Sequence, residues 1–292
     1  WIATEGSGTD LTPQSIPLSS QGEQMRILYV FPHPDDESFG PAAVIHSQVS
    51  TGHEVYLLTL TRGGATQERL KLGLTVDEMG AVRFREMQAV ERVLGLSGMK
   101  VLDYPDSGLK ELDPRILERE VRNHIEKTRP RIVVTHPVHG VSGFHDHLVA
   151  HAVVKRVYAG MKDTRGDFLK RLAFVTLPDS GDPTWGADGL PRLKLTEESL
   201  IDCVINLRQE DIEAMKKALD CYASYKDVID KVGVVQRIGA RVYFEFYSED
   251  FSPPLSNLTD QPCSLERILC LLVREGDLRW CLLKGDVCQR QS

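Results

Sequence analysis

No stretch of this 292-residue chain approaches the ~20 consecutive apolar residues of a membrane-spanning helix. The N-terminus also lacks the basic-then-apolar pattern of a secretory signal, so the expectation is a soluble, cytoplasmic protein with no membrane span. Positive charge is in deficit: 35 Lys and Arg stand against 42 Asp and Glu, for a net charge of −7. That balance leaves no footprint for nucleic acid or an anionic membrane surface. Three catalytic signatures are missing as well. Without a G-x-S-x-G elbow, a P-loop, or a G-x-G-x-x-G after the first strand, a serine hydrolase, an NTPase and a dinucleotide enzyme each lack their defining part. The six cysteines include no C-x2-C pair. Cys203 and Cys221 read as buried thiols, while Cys263, Cys270, Cys281 and Cys288 lie far apart with no histidine nearby, a poor pattern for structural zinc. No internal repeat is present.

What the sequence does have is alternation. Strand-like runs at 26–31, 54–60, 99–104 and 131–135 are each followed by helix-like runs, at 38–50, 77–94, 114–128 and 147–161. Repeated strand–helix units predict a Rossmann-like α/β three-layer sandwich with a mostly parallel sheet. The pattern then loosens into a strand at 172–177, a Gly/Pro/Asp-rich loop at 178–192, a strand at 203–207, a helix at 209–222 and a strand at 242–247. Residues 1–24, rich in Ser, Thr, Gly and Gln, read as a flexible leader, 25–251 as the main domain, and 252–292 as an irregular C-terminal extension.

Directly after the first strand comes Phe31-Pro32-His33-Pro34-Asp35-Asp36-Glu37. This places three metal-compatible side chains at the carboxyl end of a strand, where open α/β sheets hold their ligands. Two adjacent carboxylates beside an imidazole repel each other unless a cation neutralises them or one keeps a proton. A bound divalent metal resolves the conflict most simply, with one aspartate as ligand and the other facing the reactive water. The competing reading is a proline-punctuated acidic turn whose Asp36 or Ser38 caps the next helix.

All nine histidines lie between His33 and His151, and five fall within Thr135–His151. That window also follows a strand-like run, so both clusters open onto the same edge of the sheet.

The two clusters together resemble the LmbE/PIG-L family of zinc-dependent N-acetylglucosaminyl deacetylases. Pro32–Glu37 matches the family's H-P-D-D-E signature without a gap, and Gly143-Phe144-His145-Asp146-His147 aligns with G-H-P-D-H. The resemblance implies one Zn2+ or another divalent metal on His33, Asp36 and His147, with Asp35 as general base. Two imidazoles and one carboxylate leave an open position for water, as in catalytic zinc sites. In the second signature the family's first histidine is replaced by Phe144, so the proton donor falls to His145 next door, or to His136 or His139. Arg83, in an R-x-x-E helix pattern, and Asp106, in a D-S-G-L loop, match the family's sugar-binding positions. The expected substrate is a small N-acetylated amino sugar, with a homo-oligomer compatible and nucleic acid not. Two alternatives stand beside it: a metal-dependent amidase, esterase or lactonase on a non-sugar substrate, and a non-catalytic metal- or sugar-binding homologue.

Overall fold

Ile27-Leu28-Tyr29-Val30-Phe31 is apolar on both sides, and it forms an interior strand of a sheet covered on both faces. The computed structural model describes residues 23–164, 168–179 and 193–260. Nearly all of the predicted leader, most of the loop at 178–192 and the extension with its four cysteines beyond 260 lie outside the described residues. In chain order the elements are β1 (Arg26–Phe31), α1 (Ala42–Ser50), β2 (Glu54–Thr61), α2 (Glu68–Lys71), α3 (Val76–Leu94), β3 (Gly98–Tyr104), α4 (Pro114–Thr128), β4 (Ile132–Thr135), α5 (His145–Thr164), β5 (Arg171–Thr176), β6 (Cys203–Asn206), α6 (Gln209–Asp220), α7 (Lys226–Val232), α8 (Val234–Ile238) and β7 (Arg241–Phe246).

The seven strands are ordered β3-β2-β1-β4-β5-β7-β6. β1 to β5 are parallel, and β7 runs antiparallel to both β5 and β6. The mostly parallel sheet is as expected, with one reversed strand.

Side chains alternate across each strand, so β1 feeds two cores. Ile27, Tyr29 and Phe31 pack with residues of α1, α3 and α6; Leu28 and Val30 pack with α4 and α5. In α4 the stripe Leu117, Val121 and Ile125, four residues apart, is wholly buried. Each such side chain contributes ~1.5–3 kcal/mol relative to exposure. Local signals set the helix ends: Thr75 and Glu78 form a capping box at the start of α3, Gly95 ends it in the left-handed conformation, and Asp113 caps α4 ahead of Pro114.

From β1 the chain moves outward through β2 and β3, then crosses to β4 on the other side. The crevice between the carboxyl ends of β1 and β4 is therefore the topological switch point of the sheet. Both histidine clusters open there.

Most boundaries shift by three residues or fewer, and two shift by more. The helix expected from 38 begins at Ala42, because Ser38 and Phe39 both donate their N–H to the Asp35 carbonyl in a turn instead. At the other end, the chain up to 260 packs back on the sheet, Leu255 against β6 and the carbonyls of Leu258 and Asp260 against Arg171 of β5. Leu255 donates to the Asp202 carbonyl and accepts from Val204, and Leu258 is buried in the core.

Candidate metal centre and active site

His33, Asp36 and His147 converge in the switch-point crevice, and their hydrogen-bond partners fix what each presents. His33 Nε2 lies 3.2 Å from Asp146 Oδ2 and 3.3 Å from Asp106 Oδ1. A carboxylate only accepts, so Nε2 carries a hydrogen and Nδ1 is left to face the centre. His147 Nδ1 lies 2.9 Å from the Gly140 carbonyl, which likewise turns the Nε2 lone pair inward. The inward nitrogens are 3.2 Å apart, with Asp36 Oδ1 3.3 Å from His147 Nε2 and Asp36 Oδ2 3.6 Å from His33 Nδ1. Ligand atoms held 2.0–2.1 Å from one tetrahedral ion sit about 3.3–3.4 Å apart. Three electron-rich atoms at that spacing require a positive charge between them, and a divalent metal fits the donor set.

His33, Asp106 and Asp146 also lie close enough to share an ion. Their oxygens are already engaged: Asp146 accepts from the Ser107 and Leu109 N–H groups, and Asp106 Oδ2 from the Ala65 N–H. We therefore assign these two carboxylates to orienting His33, the usual partnership behind a metal-binding imidazole.

Proton affinities tell the same story. Burial alone would lower the pKa of His33, but its bonds to Asp106 and Asp146 and the charge of Asp36 raise it to about 10. Burial pushes His147 down to about 4. Asp36 is held below the ordinary carboxylate range by the three surrounding imidazoles, which outweigh its burial. The cluster thus favours a positive charge at its centre.

Asp35 stands next to this centre in an unusual backbone state. Its φ of +87° is left-handed territory that non-glycine residues seldom enter. The strain is held in place from several sides. Its N–H donates to the Tyr222 hydroxyl at 2.9 Å, and that hydroxyl donates in turn to Glu37 Oε1 at 2.7 Å. Its carboxylate accepts from Arg83 at 2.6 Å. Burial raises the pKa of Asp35, with Arg83 opposing.

Arg83, matched from the sequence to a sugar contact, is 3 % exposed and braces this loop. Its guanidinium donates to the carbonyls of Pro34 and Gly63 and to Asp35, and lies 4.4 Å from the centroid of the Tyr225 ring. Gly63 is obligatory here: at φ +65° a Cβ would sit 2.6 Å from an Arg83 nitrogen. Gly140 repeats the device, since at φ +64° a Cβ would come within 2.8 Å of His147 Cβ.

The remaining candidates are spread around the centre. His145 is exposed at the rim of the cavity, and Phe144, 64 % exposed, sets its ring edge-on to His147. His136 stacks on His147 at 4.0 Å with Nε2 3.4 Å from Asp36 Oδ1, and its ring nitrogens make no hydrogen bond. His151 Nδ1 meets the His136 carbonyl, and His139 is engaged by the Val141 N–H and Thr196. Sequence reasoning missed Asp146, Tyr222 and Tyr225. Asp146 had a signal, standing between two histidines of the second cluster. The tyrosines had none, because they reach the site from turns after α6.

The mostly parallel α/β sheet thus carries a His/Asp/His donor set that could hold a metal ion at its switch point. Residues 28–158 match the model of the family PIG-L: GlcNAc-PI de-N-acetylase. This stretch, just under half of the chain, holds both signatures and is similar to the PIG-L (LmbE-like) family that they resemble. The chain is 31 % identical over 160 residues to mycothiol S-conjugate amidase of Streptomyces coelicolor, covering 49 % of this chain and 54 % of that protein. It is 33 % identical over 154 residues to 1D-myo-inositol 2-acetamido-2-deoxy-alpha-D-glucopyranoside deacetylase of Salinispora arenicola, covering 46 % and 50 %. The chain thus spans about half the length of the curated relatives it matches. Among solved structures, GalB, the 4-carboxy-2-hydroxymuconate hydratase of Pseudomonas putida KT2440, superposes with a TM-score of 0.57 at 15 % identity, over 78 % of this chain and 98 % of that one. The fold is shared, and at that identity it does not by itself choose a reaction. No helix among the described residues is long and apolar enough to cross a membrane.

Proposed function

We propose that this protein is a metal-dependent N-deacetylase that hydrolyses the acetamide of an N-acetylglucosaminyl-type small molecule. The observation that carries the reading is the set of three inward-facing donor atoms of His33, Asp36 and His147, with the Asp35 carboxylate beside them. Similarity to a curated deacetylase and a curated amidase, each over about half of the chain, supports it. His33, Asp36 and His147 would hold the ion, Zn2+ being the first choice for this donor set. A divalent cation there polarises the acyl oxygen and acidifies water.

The chain's own residues supply the rest. Asp35 takes the proton of the attacking water as general base, and Arg83 and Tyr222 keep it in position. Water adds to the acyl carbon, the C–N bond breaks, and the departing amine takes up one proton. Two groups can deliver it: Asp35, which has just received one, and His145 at the rim. Phe144, standing where the family carries histidine, has none to give.

The test is release of acetate and free amine from N-acetylglucosamine glycosides by chelated and Zn2+-restored protein. Metal-dependent release of both products in equal amounts is expected, and absence of both with one metal bound per chain would refute the reading. His145→Ala separates the two donors: loss of turnover assigns the proton to His145, retention to Asp35.

A further inference from the structure

The cavity around the metal centre is larger than one acetamido sugar needs. It encloses about 750 Å³, within the ~300–1,000 Å³ that takes a drug-sized ligand. Among the described residues, the polar groups of the metal centre gather at one end. The other is walled by Val175, Leu177, Val232, Val234, Ile238 and Val242, drawn from the end of β5, the start of β7 and the pair α7 and α8.

These six belong to the core on the α6 side of the sheet or pack directly against it. Val234 and Val242 are each 2 % exposed and Ile238 is 8 % exposed, yet all three border the cavity. The wall is therefore a recess formed by side chains of the core. Gly40 closes its floor: a Cβ there would lie 3.7 Å from Ile238 Cδ1 and 3.8 Å from Val175 Cγ2. Arg237 and Arg241, both exposed, also border the cavity. A recess lined by aliphatic carbon offers water few partners and is filled favourably by hydrocarbon.

Resting on the deacetylase reading, we infer that the substrate carries an apolar group that runs from the reacting amide into this recess. Hydrocarbon could come from the aglycone or from a longer acyl chain on nitrogen. The shared chemistry is an alkyl or aryl group, and two substrate series distinguish its source.

The experiment measures kcat/KM of the Zn2+-loaded chain on methyl, butyl, hexyl and octyl glycosides of N-acetylglucosamine. A second series takes the methyl glycoside with N-acetyl, N-butanoyl and N-octanoyl groups. In one series kcat/KM should rise about fourfold per methylene seated, then level off as the recess fills. The series that rises names the source. Gly40→Leu, which plugs the floor, should cut the long-to-short ratio at least tenfold. Val232→Asp, at a partly exposed position, gives the same readout if the first variant fails to fold. Turnover independent of length in both series overturns this inference and leaves the deacetylase reading standing. If wild type cleaves nothing, calorimetry with methyl, butyl, hexyl and octyl glucosaminides decides. Affinity that grows with chain length and falls in the variants keeps the recess while the reaction is lost, and affinity independent of length overturns both.

Discussion

The two ends of the cavity are built on opposite principles. At the metal end, fixed charges and hydrogen bonds set each atom's position: Asp146 is bonded on both oxygens, His33 on its outer nitrogen, and Asp35 by its backbone and its carboxylate. At the apolar end the lining is interchangeable aliphatic side chains borrowed from the core. Chemistry needs directional groups whose placement is fixed within tenths of an ångström. Accommodation of hydrocarbon needs only volume and the absence of polar atoms. Substitutions at the first end should therefore act steeply on turnover, and those at the second should shift preference among substrates.

The largest effect is expected at the metal ligands. His147→Ala removes one of three donors and should reduce both bound zinc, measured by atomic absorption, and deacetylation by on the order of 10³-fold or more, since the ion supplies several kcal/mol of stabilisation. Full activity in that variant would remove His147 from the site. Next comes Asp35→Asn, which keeps the shape but loses the base. Here kcat should fall ~10²–10⁴-fold with zinc content unchanged, and a simultaneous loss of metal would show Asp35 to be a ligand after all.

Tyr222→Phe probes the bracing behind the base. It removes the acceptor for the Asp35 N–H and the donor to Glu37, so kcat should drop roughly tenfold to a hundredfold with KM little changed. Unaltered kcat would show that the left-handed Asp35 needs no help from this hydroxyl. Burying those groups without partners should also cost ~1–3 kcal/mol in urea unfolding.

Far from both ends, Asp211 offers the smallest effect and a control. It accepts from Arg208 and His46; burial opposes its charge, but these bonds hold its pKa below the ordinary carboxylate range. A folded-state value below the unfolded one contributes stability that is complete above the unfolded value, ~3.9, and is lost as pH falls through the folded value. Asp211→Asn should accordingly flatten the fall in the urea midpoint below pH ~4 while leaving kcat alone. An unchanged acid slope would show that other carboxylates control it.

The same contrast explains what could be read from the sequence. The strand–helix alternation from 26 to 161 was legible because period and punctuation are local, and the contiguous Pro32–Glu37 and Gly143–His147 clusters brought His33, Asp36 and His147 into one site. Arg83 and Asp106 were flagged by motif, but their direction was not: a side chain's target depends on tertiary neighbours such as Gly63 and His33. The recess was invisible, because Val175, Ile238 and Val242 look like any other core residues until the chain is folded. Tyr222 was hidden for the same reason, 185 residues from the carboxylate it touches.

The left-handed backbone at position 35 carries a lesson about mutational tolerance. Aspartate, asparagine and glycine enter that region at low cost, whereas longer and branched side chains do so poorly. Lengthening the carboxylate by one methylene, Asp35→Glu, thus keeps the charge but conflicts with the turn, while Asp35→Asn keeps the turn and discards the charge. The usual measure of a conservative change inverts at this position: the substitution that looks chemically mild should be the harder one to fold.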